Sequence, residues 1–282
     1  MGKFSNTWSL MKASWEVLKK DEELLVFPVV SGICCLIVMA LFAVPIFMSG
    51  AWQPPAKGAP LSEQVNYYGL LFLFYFCDYL VIIFFNAAIV ACAVIRMRGG
   101  DPTVGDGFRA AGARLSLIIG WALVSATVGL IFRIVEDRSK TAGRIIAALL
   151  GIAWSLMSFL VVPILVVEKK GPITALKESA LLLKKTWGEQ IIGNFSFGLV
   201  FFVLSLPAIA LVAIAGFFAS SAGTLLPLFV AGAVALLYMI GLAVVNSALH
   251  AIFQTAVFLF ARDNQVAPGF QADQLMNALR RR

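Results

Sequence analysis

Inside the last apolar stretch of the chain, Asn246, His250 and Gln254 follow one another at intervals of four, with Ser247 and Thr255 beside them. That spacing lines them along one face of a helix. His250 is the only histidine, and imidazole ordinarily titrates near neutral pH. The stripe has two readings. It is a polar path or proton-responsive site, or it is glue in which these side chains hydrogen-bond across helices for about 0.6 to 2 kcal/mol each. Asp78 is the one acid well inside an apolar stretch, and Asn86 lies eight residues on, near the same face. A carboxylate there needs a cation, hydrogen-bond donors or water. Paired with His250 across a bundle it would couple to a proton or another cation. Set among Tyr75, Phe76 and Tyr79, it could equally meet water or a tyrosine nearer the outer surface. Asn194, early in a later apolar stretch, belongs to the same class and reads as structural.

The elements that must position these residues are membrane spans. Hydrophobic residues make up 61% of the 282-residue chain and charged residues 13%, with a mean hydropathy of +0.92; soluble domains carry about a quarter charged residues. The apolar stretches run about 20 residues or more, which suits helices across a hydrocarbon core and not the roughly ten-residue alternating strands of a barrel. Six can be placed, at roughly 24–48, 67–95, 115–135, 142–167, 190–218 and 224–261. The expected fold is an all-α polytopic bundle of six spans in three hairpins. The last two spans exceed the length needed, so Pro207 and Pro227 kink them or their ends project.

Charge gives the orientation. With the N-terminus in the cytoplasm, the inner segments hold 17 of the 22 lysines and arginines. The outer ones keep Lys57 and a cluster of Arg133, Arg138, Lys140 and Arg144, which Glu136 and Asp137 temper. The positive-inside rule then sets both termini in the cytoplasm of a prokaryotic plasma membrane. A net charge of +7 without any nucleic-acid signature points to anionic lipid headgroups and not to nucleic acid. Cys34, Cys35, Cys77 and Cys92 all lie in apolar stretches without metal or redox spacing, and read as packing residues with free thiols. The first apolar stretch is about 25 residues long behind a polar helix, too long for the roughly 7 to 15 residues of a secretory core; with the chain opening on Met1, no cleaved signal is expected.

The segment Lys12 to Lys20 recurs 165 residues later as Lys177 to Lys185, each copy directly before a span. Trp8, Met11, Trp15 and Leu18 in the first, and Ile173, Leu176, Ala180 and Leu183 in the second, share one helical face with the lysines opposite. Such helices lie in the membrane interface, with Lys12, Lys19, Lys20, Lys177, Lys184 and Lys185 among the headgroups. Three units follow, at about 4–95, 103–167 and 172–262, within one transmembrane domain to residue 262 and a basic tail from 263 to 282. The middle unit looks like a loosened copy because Gly105, Gly107 and Gly112 interrupt its short helix. Gly193, Gly198, Gly216, Gly232 and Gly241 are expected to let helices approach closely. Glu168 and Glu189 read as interfacial charges, and Gly99 to Pro102 as a turn.

The element Ser14-Trp15-Glu16-Val17-Leu18-Lys19-Lys20, echoed in Leu183-Lys184-Lys185-Thr186-Trp187, resembles that of bacterial and archaeal membrane families built from elbow helices and six or more spans. One of these is the membrane domain attached to some glycerophosphodiester phosphodiesterases. The resemblance implies topology and carries no catalytic residues, since the phosphodiesterase chemistry of such fusions belongs to a separate soluble domain.

Nothing in the sequence assembles a catalytic site: a single histidine without paired cysteines does not make the usual metal sites, and no nucleophile elbow is present. No cofactor is expected. Two functional readings remain. One is a non-catalytic bundle that interacts with lipid or serves as accessory subunit of a membrane complex, with a membrane-protein partner or a second copy of itself. The other is a small transporter or channel lined by Asp78, Asn86, Asn246, His250 and Gln254.

Overall fold

The computed structural model describes residues 3–48, 54–56, 58–138, 142–187 and 197–263, together with Val266 and Phe270; the side chains of residues 3–9, 138, 142, 185–187, 197, 199 and 222 fall outside that description. The described residues form helices and no strand. In chain order these are α1 (Lys3–Lys20), a 3-10 turn (Glu22–Leu25), α2 (Val26–Met48), α3 (Leu61–Met97), α4 (Val104–Gly112), α5 (Leu115–Arg138), α6 (Ala142–Ser158), α7 (Val161–Pro163), a π-helical turn (Ile164–Glu168), α8 (Pro172–Trp187), α9 (Phe197–Ala222) and α10 (Leu226–Asp263). Among the described residues, six segments are long and apolar enough to cross a membrane: Glu22–Met48, Leu61–Met97, Leu115–Asp137, Gly143–Glu168, Val200–Ser221 and Leu226–Asp263.

Helices α3 and α10, of 37 and 38 residues, are each about 55 Å long at 1.5 Å per residue, well beyond a hydrocarbon core of about 30 Å. The extra length makes the protein's own core. Ile83 to Met97 of α3 and Ala248 to Leu259 of α10 are where most buried side chains cluster, with Leu10 to Leu18 of α1, Phe27, Ala111 of α4, Ile118 to Ala122 of α5 and Leu160 to Val166 packed around them. We call this the capped end, because the short helices α1, α4 and α8 cover it. Toward the other end the helices present large apolar side chains outward, among them Phe47, Phe217, Phe229 and Leu237.

Prolines mark the irregularities. Pro207 sits inside α9, whereas Pro227 lies in the first turn of α10, where no backbone donor is needed. Pro163 breaks the fourth span: its ring displaces the helical bond to Phe159, so α6 stops at Ser158, a turn follows at Phe159 and Leu160, and the chain resumes as α7 and the π-helical turn.

Several packing details depart from the sequence expectation. In α1 the buried face is Leu10, Met11, Ala13, Ser14, Val17 and Leu18, and Trp15 is 39% exposed; Trp8 is outside the described side chains. In α8 it is Ala175, Ser179 and Leu183 that are buried, while Ile173 is exposed. The faces are turned because serine can be interior here: Ser14 Oγ donates to Leu10 O at 3.1 Å, and Ser179 Oγ accepts the Leu160 N–H at 3.0 Å. The α4 glycines do not loosen that helix. Thr103 and Asp106 close a full capping box at its start, and a Cβ on Gly107 would overlap the Phe27 ring and lie 2.9 Å from Cys92 Sγ. Gly107 is therefore where α4 presses onto α2 and α3. By contrast a Cβ on Gly198, Gly216, Gly232 or Gly241 would meet nothing within 4 Å, so these glycines serve no close contact within the described chain; Gly193 is outside the described residues.

Candidate functional site

The polar residues at membrane depth divide into those that meet and those that stand apart. Asn86 of α3 and His250 and Gln254 of α10 line one cavity of about 680 Å³. Trp121 and Ser125 of α5, Trp154, Ser155 and Ser158 of α6, Phe159, and Leu183 of α8 complete much of its wall. Asn86 is 11 residues from the end of α3 and Gln254 nine from the end of α10, about 15 Å along each axis. The cavity thus lies just below the capped end, where the long helices are held together by their own packing.

Each wall is positioned by a repeat of four. Trp121 with Ser125, Trp154 with Ser158, and His250 with Gln254 are one helical turn apart, so each helix offers an aromatic and a polar group in register. Trp121 and Trp154 stack at 5.4 Å with their planes 20° apart, joining α5 to α6. His250 meets Phe159 edge-on at 5.8 Å, joining α10 to the break in the fourth span. Gln254 is 7% exposed, and its Oε1 has no hydrogen-bond partner among the described residues. At the rim Ile82 of α3 and Ile152 of α6 are 42% and 55% exposed, so the mouth opens through an apolar edge of the bundle.

Asp78 is not part of this cavity. It stands two turns from Asn86, about 12 Å along α3, and faces Cys35 of α2 and Tyr79. No ion pair links it to His250 among the described residues, so the coupling site formed by those two is not built. Asn246 is half-buried one turn from His250 and lies outside the lining. Asn194 lies outside the described residues. Among the described residues no group of three His, Cys, Asp or Glu side chains could hold a metal ion.

Charged side chains gather instead at the capped end. Arg96, near the end of α3, holds Asp21 with two guanidinium nitrogens and Asp101 with one of them, and the Asp21 side chain is only 6% exposed. This pair fixes the α1–α2 junction to α3. Glu168 is not a free interfacial charge: its side chain is 11% exposed and lies 2.6 Å from Lys170 Nζ and 3.0 Å from Arg262 Nε. Neither approach has hydrogen-bond alignment, so the attraction is Coulombic. Lys170 also donates to both Glu178 oxygens at 2.7 Å. Those bonds hold the Glu178 carboxyl below the usual carboxylate range, and the adjacent Glu168 and Glu178 carboxylates push the Lys170 ammonium up. Two hydrogen bonds from Thr103 likewise lower Asp106. Farther along, Arg133 is ion-paired with Glu136 and Asp137 at 3.7 and 3.4 Å, which offsets part of the positive charge it shares with Arg138, Lys140 and Arg144.

Lys12, Lys19, Lys20, Lys177 and Lys184, expected among headgroups, are all exposed, and Lys19 Nζ stands 5.8 Å over the Trp15 ring. The side chain of Lys185 is outside the description. One protein family, described as a family of unknown function, DUF6159, matches residues 65–269. The chain belongs to that family. The DUF6159 match takes in every cavity residue from Tyr79 to Gln254 and leaves out α1 with its lysines, so the cavity belongs to the part shared with the family. No curated protein matches the chain.

Sequence reasoning found Asn86, His250 and Gln254 by their type and spacing. It missed Ser125, Ser155 and Ser158, whose spacing of four from Trp121 and Trp154 was the available signal for two of them, and it missed the break that Pro163 announces.

Proposed function

We propose that this is a non-catalytic multi-pass membrane protein that holds an amphiphile, its polar part in the cavity of Asn86, His250 and Gln254 and its tail leaving between Ile82 and Ile152. The single observation carrying this reading is that a cavity with polar groups set in a largely apolar wall opens through apolar, exposed residues of helices long enough to span a bilayer. The exposed lysines of α1 and α8 support an anchoring role for these helices on anionic headgroups. The distribution of lysine and arginine supports a prokaryotic plasma membrane with both termini in the cytoplasm. The resemblance to phosphodiesterase-attached membrane domains rests on the elbow residues Ser14 to Lys20 and Leu183 to Trp187, and adds topology alone.

Gly151 gives a clean test, since it lines the cavity and a Cβ there meets nothing within 4 Å. Gly151→Leu should fold as wild type and place an isobutyl group in the space the ligand would occupy. Native mass spectrometry of the chain released from native membrane should show a lipid retained by wild type and lost from Gly151→Leu; equal retention by the two would sink the reading. A second reading, a small transporter, is favoured by the broken fourth span beside the cavity. In liposomes the amphiphile reading expects background flux of protons and small ions with wild type and His250→Ala alike, whereas flux abolished by His250→Ala would favour transport.

A further inference from the structure

The cavity wall is unusual in what it omits. Among the described residues its lining contains amides, hydroxyls, an imidazole and two stacked indoles, but no aspartate, glutamate, lysine or arginine. An ionised head entering it would leave water without meeting a counter-charge, an unfavourable exchange in a low-dielectric site. A neutral head loses less on entry and can use what the wall offers. Gln254 adds a directional requirement: it is 7% exposed, and its Oε1 is buried without a partner among the described residues. As the side chain stands this acceptor is closed off from the cavity as well as from water; a turn of the Gln254 amide brings it to the cavity, where a bound donor satisfies it. The volume of about 680 Å³ falls within the roughly 300–1,000 Å³ of small-ligand sites.

We infer that the ligand is an uncharged lipid whose head carries hydroxyl groups, one of them donating to Gln254 Oε1. This rests on the proposed amphiphile cavity and narrows its ligand class. The hydroxyls meet Gln254, Asn86 and Ser125; the C–H faces of a polyol or sugar lie against Trp121 and Trp154, whose rings accept such contacts; the acyl chains leave past Ile82 and Ile152.

The full chain would be placed in phosphatidylcholine nanodiscs without sugar detergents, which are themselves ligands of the proposed class. It would be probed with a photoactivatable monoglucosyl diacylglycerol, its per-O-methylated analogue and a photoactivatable phosphatidylglycerol, with free glucose as competitor. The glucosyl lipid should label cavity peptides of α5, α6 or α10. Methylation, which removes every donor, should weaken binding about tenfold in wild type, the size of a hydrogen bond to a buried acceptor. In Gln254→Leu it should matter no more than about twofold, a loss of additivity that a merely structural glutamine would not give. Should that variant fail to reach the membrane, Gln254→Met, which keeps the side-chain length and removes the acceptor, serves the same cycle. Equal labelling by the methylated lipid, or preference for phosphatidylglycerol, overturns the inference and leaves the amphiphile cavity standing. Labelling by no lipid overturns both. Competition by free glucose as strong as by the glucosyl lipid overturns the amphiphile reading and keeps the uncharged hydroxyl class.

Discussion

The two ends of α10 are made of the same residue types and are stabilised by different surroundings. Phe229 near its start is 71% exposed, and Phe258 near its end is 1% exposed; α3 shows the same division, with Leu61 exposed and Val90 buried. At the capped end protein packs on protein, ion pairs tie the helix termini, and the polar cavity sits directly beneath. At the other end the apolar surface is left for the bilayer. A membrane helix can therefore be rigid along one half and depend on lipid along the other, and a site that must hold its geometry belongs in the rigid half.

Truncating one phenylalanine at each end should separate the two ends most strongly. Phe253→Ala, at 1% exposure, should cost about 3–5 kcal/mol, whereas Phe229→Ala should leave thermal unfolding in nanodiscs within about 0.5 kcal/mol of wild type. Similar losses from the two would mean that the ends do not differ. Gly107→Val should come next, destabilising by about 1–3 kcal/mol through overpacking against Phe27 and Cys92, while Gly232→Ala, with open space around it, should unfold at the wild-type temperature or slightly above. Ser179→Ala removes the acceptor of the Leu160 N–H at the break in the fourth span and should cost about 1–3 kcal/mol; hydrogen exchange should then rise at Leu160 before it rises elsewhere in the core.

The smallest effect is in pH dependence. The depressed Glu178 contributes stability above its unfolded pKa that is lost as pH falls through its folded value. The raised Lys170 contributes below its unfolded pKa and loses its share as pH rises through the folded value. The tether is thus intact near neutrality and weakens toward either extreme. Both groups are open to solvent, so Lys170→Met should lower the melting temperature by no more than about 3 °C at neutral pH and flatten its decline in acid. An acid limb as steep as that of wild type would show that Glu178 does not depend on this partner.

The spans were legible because length and continuous apolarity suffice to mark them, and the placed ranges fall close to the helices. Which half of each span is core was not legible, because lipid-facing and buried positions are both apolar: hydropathy gives no means of telling Phe229 from Phe258. The site was half legible. Intervals of four picked out His250 and Gln254, and residue type picked out Asn86, but only tertiary packing decides that Asp78 turns to Cys35 and that Asn246 falls a turn short. The serines escaped notice because a hydroxyl in a span usually bonds its own helix, as Ser158 does with Trp154 O at 2.7 Å, and so reveals nothing about a cavity.

On the proposed reading, the cavity beneath the capped end holds the polar part of an amphiphile. Crystals of the full chain grown from a lipidic mesophase of native lipids test it most directly, through the density between Asn86, His250 and Gln254. Elongated density is expected, its head within hydrogen-bond distance of the Gln254 side chain and its tail leaving between Ile82 and Ile152. Isolated water peaks with no continuous density through that edge, or a cavity closed by its own side chains, would contradict it.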